Sequence, residues 1–152
     1  SEWWTWPLVI RPVWLYVTEL PGGFVSTITA MGNPFIWWFG LSSIITALWR
    51  GLKNGCTPYL FVGVIYIFQF LPYILISRCL FIYHYYPNVP MIILASAGLL
   101  DESLKTRKNM KIITLYIIAV VLTFLIFYPV ISGYPIPSPY REPLRWLRSW
   151  AF

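Results

Sequence analysis

Residues 112–131 contain no charged side chain. A helix of about 20 apolar residues is about 30 Å long, which matches the hydrocarbon core of a bilayer. The wider composition agrees, because hydrophobic residues make up 59% of the 152 residues and charged residues only 11%. Soluble domains carry roughly a quarter charged residues, and a ~150-residue globule cannot bury this much apolar surface. The sequence therefore predicts an integral, multi-pass membrane protein.

Four apolar stretches define the expected fold. They lie at about 34–49, 59–76, 79–100 and 111–131. A single helix over 59–100 would be about 63 Å long, twice the thickness of the hydrocarbon core, so we predict a tight helical hairpin at Ser77–Arg78. The expected fold is all-α, with about four transmembrane helices over residues 34–132. Three small residues are expected to form surfaces for other helices: Gly63, Ala95 and Gly98.

The two ends of the chain do not fit a membrane span. Residues 1–33 contain several prolines, glycines and tryptophans, which favours a loop lying at the membrane interface. Residues 133–152 begin as a proline-rich segment and end in an arginine- and tryptophan-rich tail. Its arginines share one helical face, which predicts a short amphipathic helix resting on the outer interface: Arg141, Arg145 and Arg148.

The distribution of basic residues indicates an orientation. Two segments between predicted spans hold six basic residues: Arg50, Lys53, Lys105, Arg107, Lys108 and Lys111. Because cytoplasmic loops are enriched in Lys and Arg, we expect the 101–111 loop to be cytoplasmic. The N-terminal loop, Arg78 and the C-terminus then lie outside. We interpret the net charge of +6 as arising from basic residues that set the orientation in the membrane and contact lipid headgroups, and not as a sign of nucleic-acid binding.

Few residues have the chemistry of a site. His84 is the one histidine, and ionisable residues within a span are functional candidates. A hydrogen bond to another helix explains it equally well. Arg78 and Arg11 suit a phosphate, although snorkelling toward lipid headgroups is the alternative. No metal-binding set of His, Asp or Glu is present, and Cys56 and Cys79 have no zinc spacing and are not expected to form a disulfide.

Several motifs together resemble a known family. The C-terminal membrane region of prokaryotic protein O-mannosyltransferases is similar to four segments in the same order: WPLVIRPVWLY, MGNPFIWWFG, FIYHYYPNVPMIILA and PLRWLRSWAF. The resemblance implies part of a type C glycosyltransferase fold, in the plasma membrane of a prokaryote or the endoplasmic reticulum of a eukaryote. It implies transfer of mannose from a polyprenyl (dolichyl-type) phosphate to Ser or Thr of secreted proteins, with no cofactor beyond the lipid-linked donor.

The resemblance also limits what this chain contributes. The family's catalytic acidic pair lies in an early outer loop that nothing here matches, so no catalytic residue is assigned, the metal requirement is left open, and the chain alone is expected to be inactive. Binding of the donor phosphate or the acceptor is expected at five residues: Arg11, Asn33, Arg78, His84 and Tyr85. The first residue is Ser1, which we interpret as a fragment or processed product that packs against the remaining helices of the full enzyme.

Three other interpretations stay open at this point. A small four-span accessory or assembly subunit would also lack a catalytic carboxylate. A related lipid-phosphate-sugar transferase with another acceptor would share the donor site. A transporter or channel would need polar residues in several spans, and little beyond Gln69 and His84 meets that need.

Overall fold

Helices and a small antiparallel sheet make up most of the structure. The computed structural model describes residues 1–105 and 109–150. Its α-helices are α1 (Pro34–Asn54), α2 (Thr57–Phe70), α3 (Val89–Lys105) and α4 (Met110–Ser132). Its strands are β1 (Val13–Leu20), β2 (Phe24–Ala30) and β3 (Ile136–Pro137), in the order β1-β2-β3. Short 3-10 helices cover Trp3–Thr5, Leu71–Leu75, Ile82–Asn88 and Ser138–Leu144.

Helix α1 is the centre of the bundle, and small residues let its neighbours approach closely. A Cβ atom placed on Gly51 would lie 2.8 Å from the Leu60 backbone of α2. One placed on Gly40 would lie 2.7 Å from the Cβ of Ile92 in α3. Close approach through small residues is typical of helix packing in membranes.

The three small residues that were expected to form surfaces for other helices are packed within this chain. This corrects that expectation. Gly63 of α2 faces the Leu48 side chain of α1, and Gly98 of α3 faces Tyr59 of α2. Ala95 is buried. The sequence shows where small residues lie within the apolar stretches, but it does not show which helix packs against them.

The sheet lies against the end of α4 and the start of α1. The Gly133 amide donates to the Thr27 carbonyl oxygen (3.0 Å), and the Thr27 hydroxyl donates to the Val130 carbonyl oxygen (3.1 Å). The Ser26 hydroxyl donates to the Gly133 carbonyl oxygen (2.7 Å). The two hydroxyl bonds are accepted by carbonyl groups at the end of α4, which have no partner within the helix. We call this the sheet end of the bundle, and the other the opposite end.

The sheet corrects the all-α expectation and the expected loop over residues 1–33. β1 and β2 form an antiparallel hairpin from two runs rich in β-branched and aromatic residues. Pro21 precedes the turn, and Gly22 and Gly23 supply its left-handed backbone, with φ of 82° and 77°. Prolines and glycines that mark a loop also mark a hairpin turn, so the strands beside them were missed.

The third apolar stretch forms a shorter helix than predicted, and the turn before it is not a tight hairpin. α3 begins at Val89, not near residue 79, and the chain from Ile76 to Phe81 is not helical. Pro87 and Pro90 explain the difference, because neither can donate the amide hydrogen that an α-helix needs at those positions. The 3-10 helix Ile82–Asn88 takes the place of the first turns.

Within the described residues, three segments are clearly long and apolar enough to cross a membrane, so the expected count of four is not confirmed. The segments long and apolar enough to cross a membrane are Pro34–Asn54, Thr57–Leu75 and Met110–Ser132. α3 has 17 residues, and its last turns carry Asp101, Glu102 and Lys105. The fold is mostly helical and has apolar helices long enough to cross a membrane, whereas α3 is shorter and carries charged residues at its end.

The described residues of the predicted cytoplasmic loop at 101–111 are mostly helical. Residues up to Lys105 belong to α3, and Lys111 belongs to α4. Arg107 and Lys108, which carried part of the orientation argument, lie outside the described residues.

The C-terminal tail is not the amphipathic α-helix that the arginine spacing predicts. Residues Ser138–Leu144 form a 3-10 helix, and Leu144 and Trp150 are buried. Pro139 and Pro143 lack amide hydrogens, which disfavours an α-helix there. Trp150 packs edge-on against Phe127 of α4, so the tail folds onto the bundle.

Candidate functional site

A polar cavity at the sheet end is lined by both arginines that the sequence indicated. Arg11 lies just before β1, and Arg78 lies in the non-helical segment after Leu75. Their cavity has a volume of about 420 Å³, and its other lining residues are Ser1, Glu2, Trp3, Ile76, Ser77, Cys79 and Leu80. Both arginines are exposed, and neither forms an ion pair with a described residue. The cavity is therefore lined by two arginines that have no ion-pair partner among the described residues, together with the carboxylate of Glu2.

The walls of this cavity come from two distant segments, which a hydrogen bond from Ser1 to Leu80 joins. The Ser1 nitrogen donates to the Leu80 carbonyl oxygen (2.6 Å), and the Trp6 indole donates to the Ser1 hydroxyl (2.9 Å). Trp3 packs edge-on against Phe70 at the end of α2. The Ser1–Leu80 hydrogen bond joins residues 1–11 to residues 76–80, and Trp3 packs the first segment against α2, so that Arg11 and Arg78 line one cavity.

The turn before Arg11 is strained. Val9 has a φ of 54°, a left-handed conformation that is costly for a β-branched residue. Val9 is fully buried, and its carbonyl oxygen accepts a hydrogen bond from the Trp150 indole (2.6 Å). The Ser149 hydroxyl donates to the neighbouring Ile10 carbonyl oxygen. The C-terminal tail thus holds the backbone that carries Arg11, and such strain is common at functional sites.

His84 does not line this cavity, but its ring contacts Trp6, whose indole donates to the Ser1 hydroxyl of the cavity wall. Its ring stacks on Tyr83 (centroids 4.6 Å apart) and on Trp6 (5.9 Å). Its Nδ1 atom is within hydrogen-bonding distance of both the amide nitrogen (3.3 Å) and the carbonyl oxygen (3.0 Å) of Phe81. Within residues 1–105 and 109–150, no hydrogen bond to Nε2 is found. His84 lies in the 3-10 helix Ile82–Asn88 and not in the interior of an α-helical span, where the sequence placed it.

Tyr85 and Asn33 lie elsewhere. Tyr85 is fully buried, its hydroxyl is 3.0 Å from that of Tyr66, and its ring packs on Trp37. The Asn33 Oδ1 atom accepts hydrogen bonds from the backbone nitrogens at the start of α1, and Nδ2 donates to the Val120 carbonyl oxygen of α4. The structure thus brings together Arg11 and Arg78, with His84 near them, and places Asn33 and Tyr85 in packing positions.

Two residues that the sequence did not select stand out. Glu2 supplies the one carboxylate among the residues that line the cavity. Asn88 ends the 3-10 helix of His84, is fully buried, and neither polar atom of its side chain has a partner among the described residues. Nothing in their local sequence marks them, because their significance depends on contacts with distant segments.

The opposite end of the bundle carries a different, internally paired charge cluster. Glu102 of α3 accepts a hydrogen bond from the Tyr59 hydroxyl (2.7 Å) and pairs with Arg50 of α1. The Tyr59 hydrogen bond, with Arg50 beside it, holds the pKa of the Glu102 carboxyl below its ordinary value. Arg50 thus has an ion-pair partner, whereas Arg11 and Arg78 have none within the described residues.

The matches to known proteins decide the family. A family model described as "C-terminal four TMM region of protein-O-mannosyltransferase" matches residues 1–150. The chain belongs to this family. It is similar to the polyprenol-phosphate-mannose–protein mannosyltransferase of Mycolicibacterium smegmatis, with 30% identity over 99% of this chain and 32% of that protein. The namesake from Corynebacterium glutamicum is 28% identical over the same shares.

A solved structure has the same fold. It is the protein O-mannosyltransferase Pmt1-Pmt2 complex of S. cerevisiae bound to the sugar donor, with a TM-score of 0.76. The identity is 20%, and the match covers 100% of this chain and 23% of that chain.

These findings confirm the resemblance that the sequence motifs indicated. The chain spans about a third of the length of the bacterial relatives it matches. The roles of the five site residues stay predictions.

Proposed function

We propose that this chain is the C-terminal membrane region of a mannosyltransferase that moves mannose from a polyprenyl-phosphate donor to Ser or Thr of secreted proteins. In this proposal, the cavity lined by Arg11 and Arg78 binds the donor phosphate. The family match and the names of the bacterial relatives support the reaction class. The observation that carries the site is that two arginines from distant segments line one cavity and form no ion pair with any described residue.

The chemistry of the donor matches these residues. When the sugar leaves a polyprenyl phosphate, negative charge develops on the phosphate oxygens. A guanidinium binds such oxygens through paired hydrogen bonds and stays charged at any working pH. The cavity volume of about 420 Å³ lies within the range of small-molecule sites, roughly 300–1,000 Å³.

The general base is proposed to lie outside this chain. A base must deprotonate the acceptor hydroxyl as it attacks the anomeric carbon. Glu2 is the one carboxylate on the cavity within the described residues, and the family resemblance assigns the acidic pair to another part of the enzyme. This region therefore supplies positive charge and a scaffold, and is inactive by itself.

The proposal includes a sidedness. The acceptors are secreted proteins, so the sheet end with its cavity faces the outside of the cell or the lumen of the endoplasmic reticulum. The opposite end, with Arg50, Lys53, Lys105 and Lys111, then faces the cytoplasm, in accordance with the preference for basic residues there.

The test compares three arginines in the full-length protein. Arg11→Ala and Arg78→Ala are each expected to lower kcat/KM for the lipid-linked donor about tenfold to 100-fold, since each removes a charged hydrogen-bond donor. Arg148→Ala is the matched control. Arg148, in the C-terminal tail, is an exposed arginine like Arg11 and Arg78, but it does not line the cavity. The double variant Arg11→Ala/Arg78→Ala is expected to lose less than the product of the two single losses, because both side chains contact one phosphate.

Unchanged donor kinetics in both single variants would show that the phosphate binds elsewhere. Equal losses in all three variants would indicate a general effect of surface charge. If the unmodified full-length protein transfers no mannose, the accessory-subunit interpretation replaces the enzyme.

A further inference from the structure

β1 is an open edge of the sheet. The strand order β1-β2-β3 leaves one side of β1 without a partner strand in the part of the chain that the structure describes. Both faces of β1 are also unusually exposed, since Leu15, Tyr16 and Val17 are 61%, 49% and 45% accessible. A long apolar edge strand is a template for pairing with another extended chain, and proteins that do not use such an edge usually shield it.

The open edge begins beside the proposed phosphate site. Arg11 lines the cavity and Val13 is the first residue of β1, so about 7 Å of extended chain separates them. A β-bulge at Leu15 shifts the register between Trp14 and Tyr16. Bulges increase local twist and are common beside active sites, where they redirect a strand.

We infer that the open edge of β1 binds the acceptor polypeptide as an added strand, an inference that rests on the proposed function. Main-chain hydrogen bonds would hold the peptide regardless of its sequence, and pockets between exposed side chains would select among its residues. The eight residues of β1 offer about 26 Å of edge, enough for a peptide of about eight residues. A hydroxyl on a paired peptide that extends past Val13 arrives at the cavity of Arg11.

A polypeptide fits the open edge of β1 better than a lipid or another helix does. Lipid chains do not satisfy backbone amides, whereas an edge strand presents a row of them. The bacterial relatives are named as protein mannosyltransferases, so their acceptor is itself a polypeptide. An acceptor that offers only a main chain and a hydroxyl needs a binding mode that reads the main chain.

The decisive test modifies the peptide and leaves the enzyme unchanged. Full-length protein in nanodiscs receives a polyprenyl-phosphate-mannose donor and a series of single-threonine peptides, each N-methylated at one backbone amide. A paired strand uses alternate amides, so every second N-methyl group is expected to lower kcat/KM for the peptide about three- to tenfold, while the intervening positions change little. A loss that is uniform along the peptide, or absent, overturns the inference.

Variants of the edge provide a second readout. Leu15→Ala and Val17→Ala are expected to raise KM for the peptide and leave KM for the donor unchanged. Phe24→Ala is the matched control, because Phe24 is also an exposed apolar residue of the sheet but lies on β2. Equal peptide KM values in all three variants contradict docking on β1.

Two other outcomes are distinguishable. Efficient cross-linking between cysteines placed at Leu15 in two copies, without peptide, would assign the edge to self-association and overturn the inference. If even the unmethylated peptide receives no mannose, the proposed function itself fails.

Discussion

The Asn33 side-chain amide donates a hydrogen bond to the Val120 carbonyl oxygen over 3.0 Å, so the residue that caps α1 also ties it to the middle of α4. Its Oδ1 atom accepts from the Phe35 and Ile36 amides at the same time. Every polar atom of this side chain is thus used within the fold. Gly32 beside it is equally constrained, because a Cβ atom there would overlap the Trp37 indole at 1.9 Å.

Asn33 is therefore expected to act on stability and not on donor binding. Asn33→Asp keeps the capping acceptor but loses the donor to Val120, at a cost of about 1 kcal/mol or more. Asn33→Ala also loses the cap and is expected to cost about 1 kcal/mol further. Thermal unfolding of the full-length protein measures both losses. A raised KM for the donor with unchanged unfolding would instead support the direct binding role that the family resemblance implies.

The membrane helices were predictable because apolar length is a strong signal. Prolines also marked their starts, since Pro34 and Pro58 lie in the first turns of α1 and α2. The sheet was missed because residues 13–30 hold few charges, and their tryptophans and tyrosines are also typical of a membrane interface. The helical hairpin at Ser77–Arg78 was wrong because Pro87 and Pro90 disfavour an α-helix over the first part of the third apolar stretch, so that α3 begins only at Val89.

The candidate site could be foreseen in its chemistry but not in its geometry. Arg11 and Arg78 were selected because a guanidinium suits a phosphate, and the structure places both on one cavity. Nothing local in the sequence indicates that residues 1–11 pack against residues 76–80, because the hydrogen bond that joins them is made by main-chain atoms of Ser1 and Leu80. The same reason hid Glu2.

The strain at Val9 predicts an unusual tolerance to glycine. Val9→Gly loses a buried side chain worth about 1.5–3 kcal/mol but relieves about 1–3 kcal/mol of backbone strain at its φ of 54°. Val25 is also fully buried, but it lies in β2, where glycine adds its own conformational cost. Val25→Gly is therefore expected to cost about 2–4 kcal/mol, clearly more than Val9→Gly. Denaturation of the two variants decides, and equal losses would show that Val9 is not strained.

The Glu102 cluster predicts a stability that depends on pH at the opposite end. Its carboxyl pKa is lowered in the folded state by the Tyr59 hydrogen bond and by Arg50. The stabilisation is therefore complete above the ordinary glutamate pKa of about 4.3, and it is lost as the pH falls through that value toward the lowered one. Because the pair is partly exposed, the effect is expected to stay below about 1 kcal/mol.

Glu102→Gln measures this contribution. The variant is expected to melt below the wild type at neutral pH, and the two melting curves should converge in acid. Asp101→Asn is the control, since Asp101 pairs with Lys105 on the exposed side of the same helix turn. A difference between wild type and Glu102→Gln that persists unchanged below the glutamate range would contradict the assignment.

His84 offers a test that separates its two ring nitrogens. Asparagine places a polar group near the position of Nδ1, which contacts the Phe81 backbone, whereas glutamine reaches the position of Nε2, for which no hydrogen bond is found within the described residues. If Nε2 serves the donor or acceptor beside the cavity, His84→Asn should keep the melting temperature and lose about tenfold in turnover, the value of one hydrogen bond. His84→Gln should retain more of the turnover and melt lower. Full turnover in His84→Asn would show that the ring only holds the 3-10 turn, and would leave the two arginines as the chemical groups of this site.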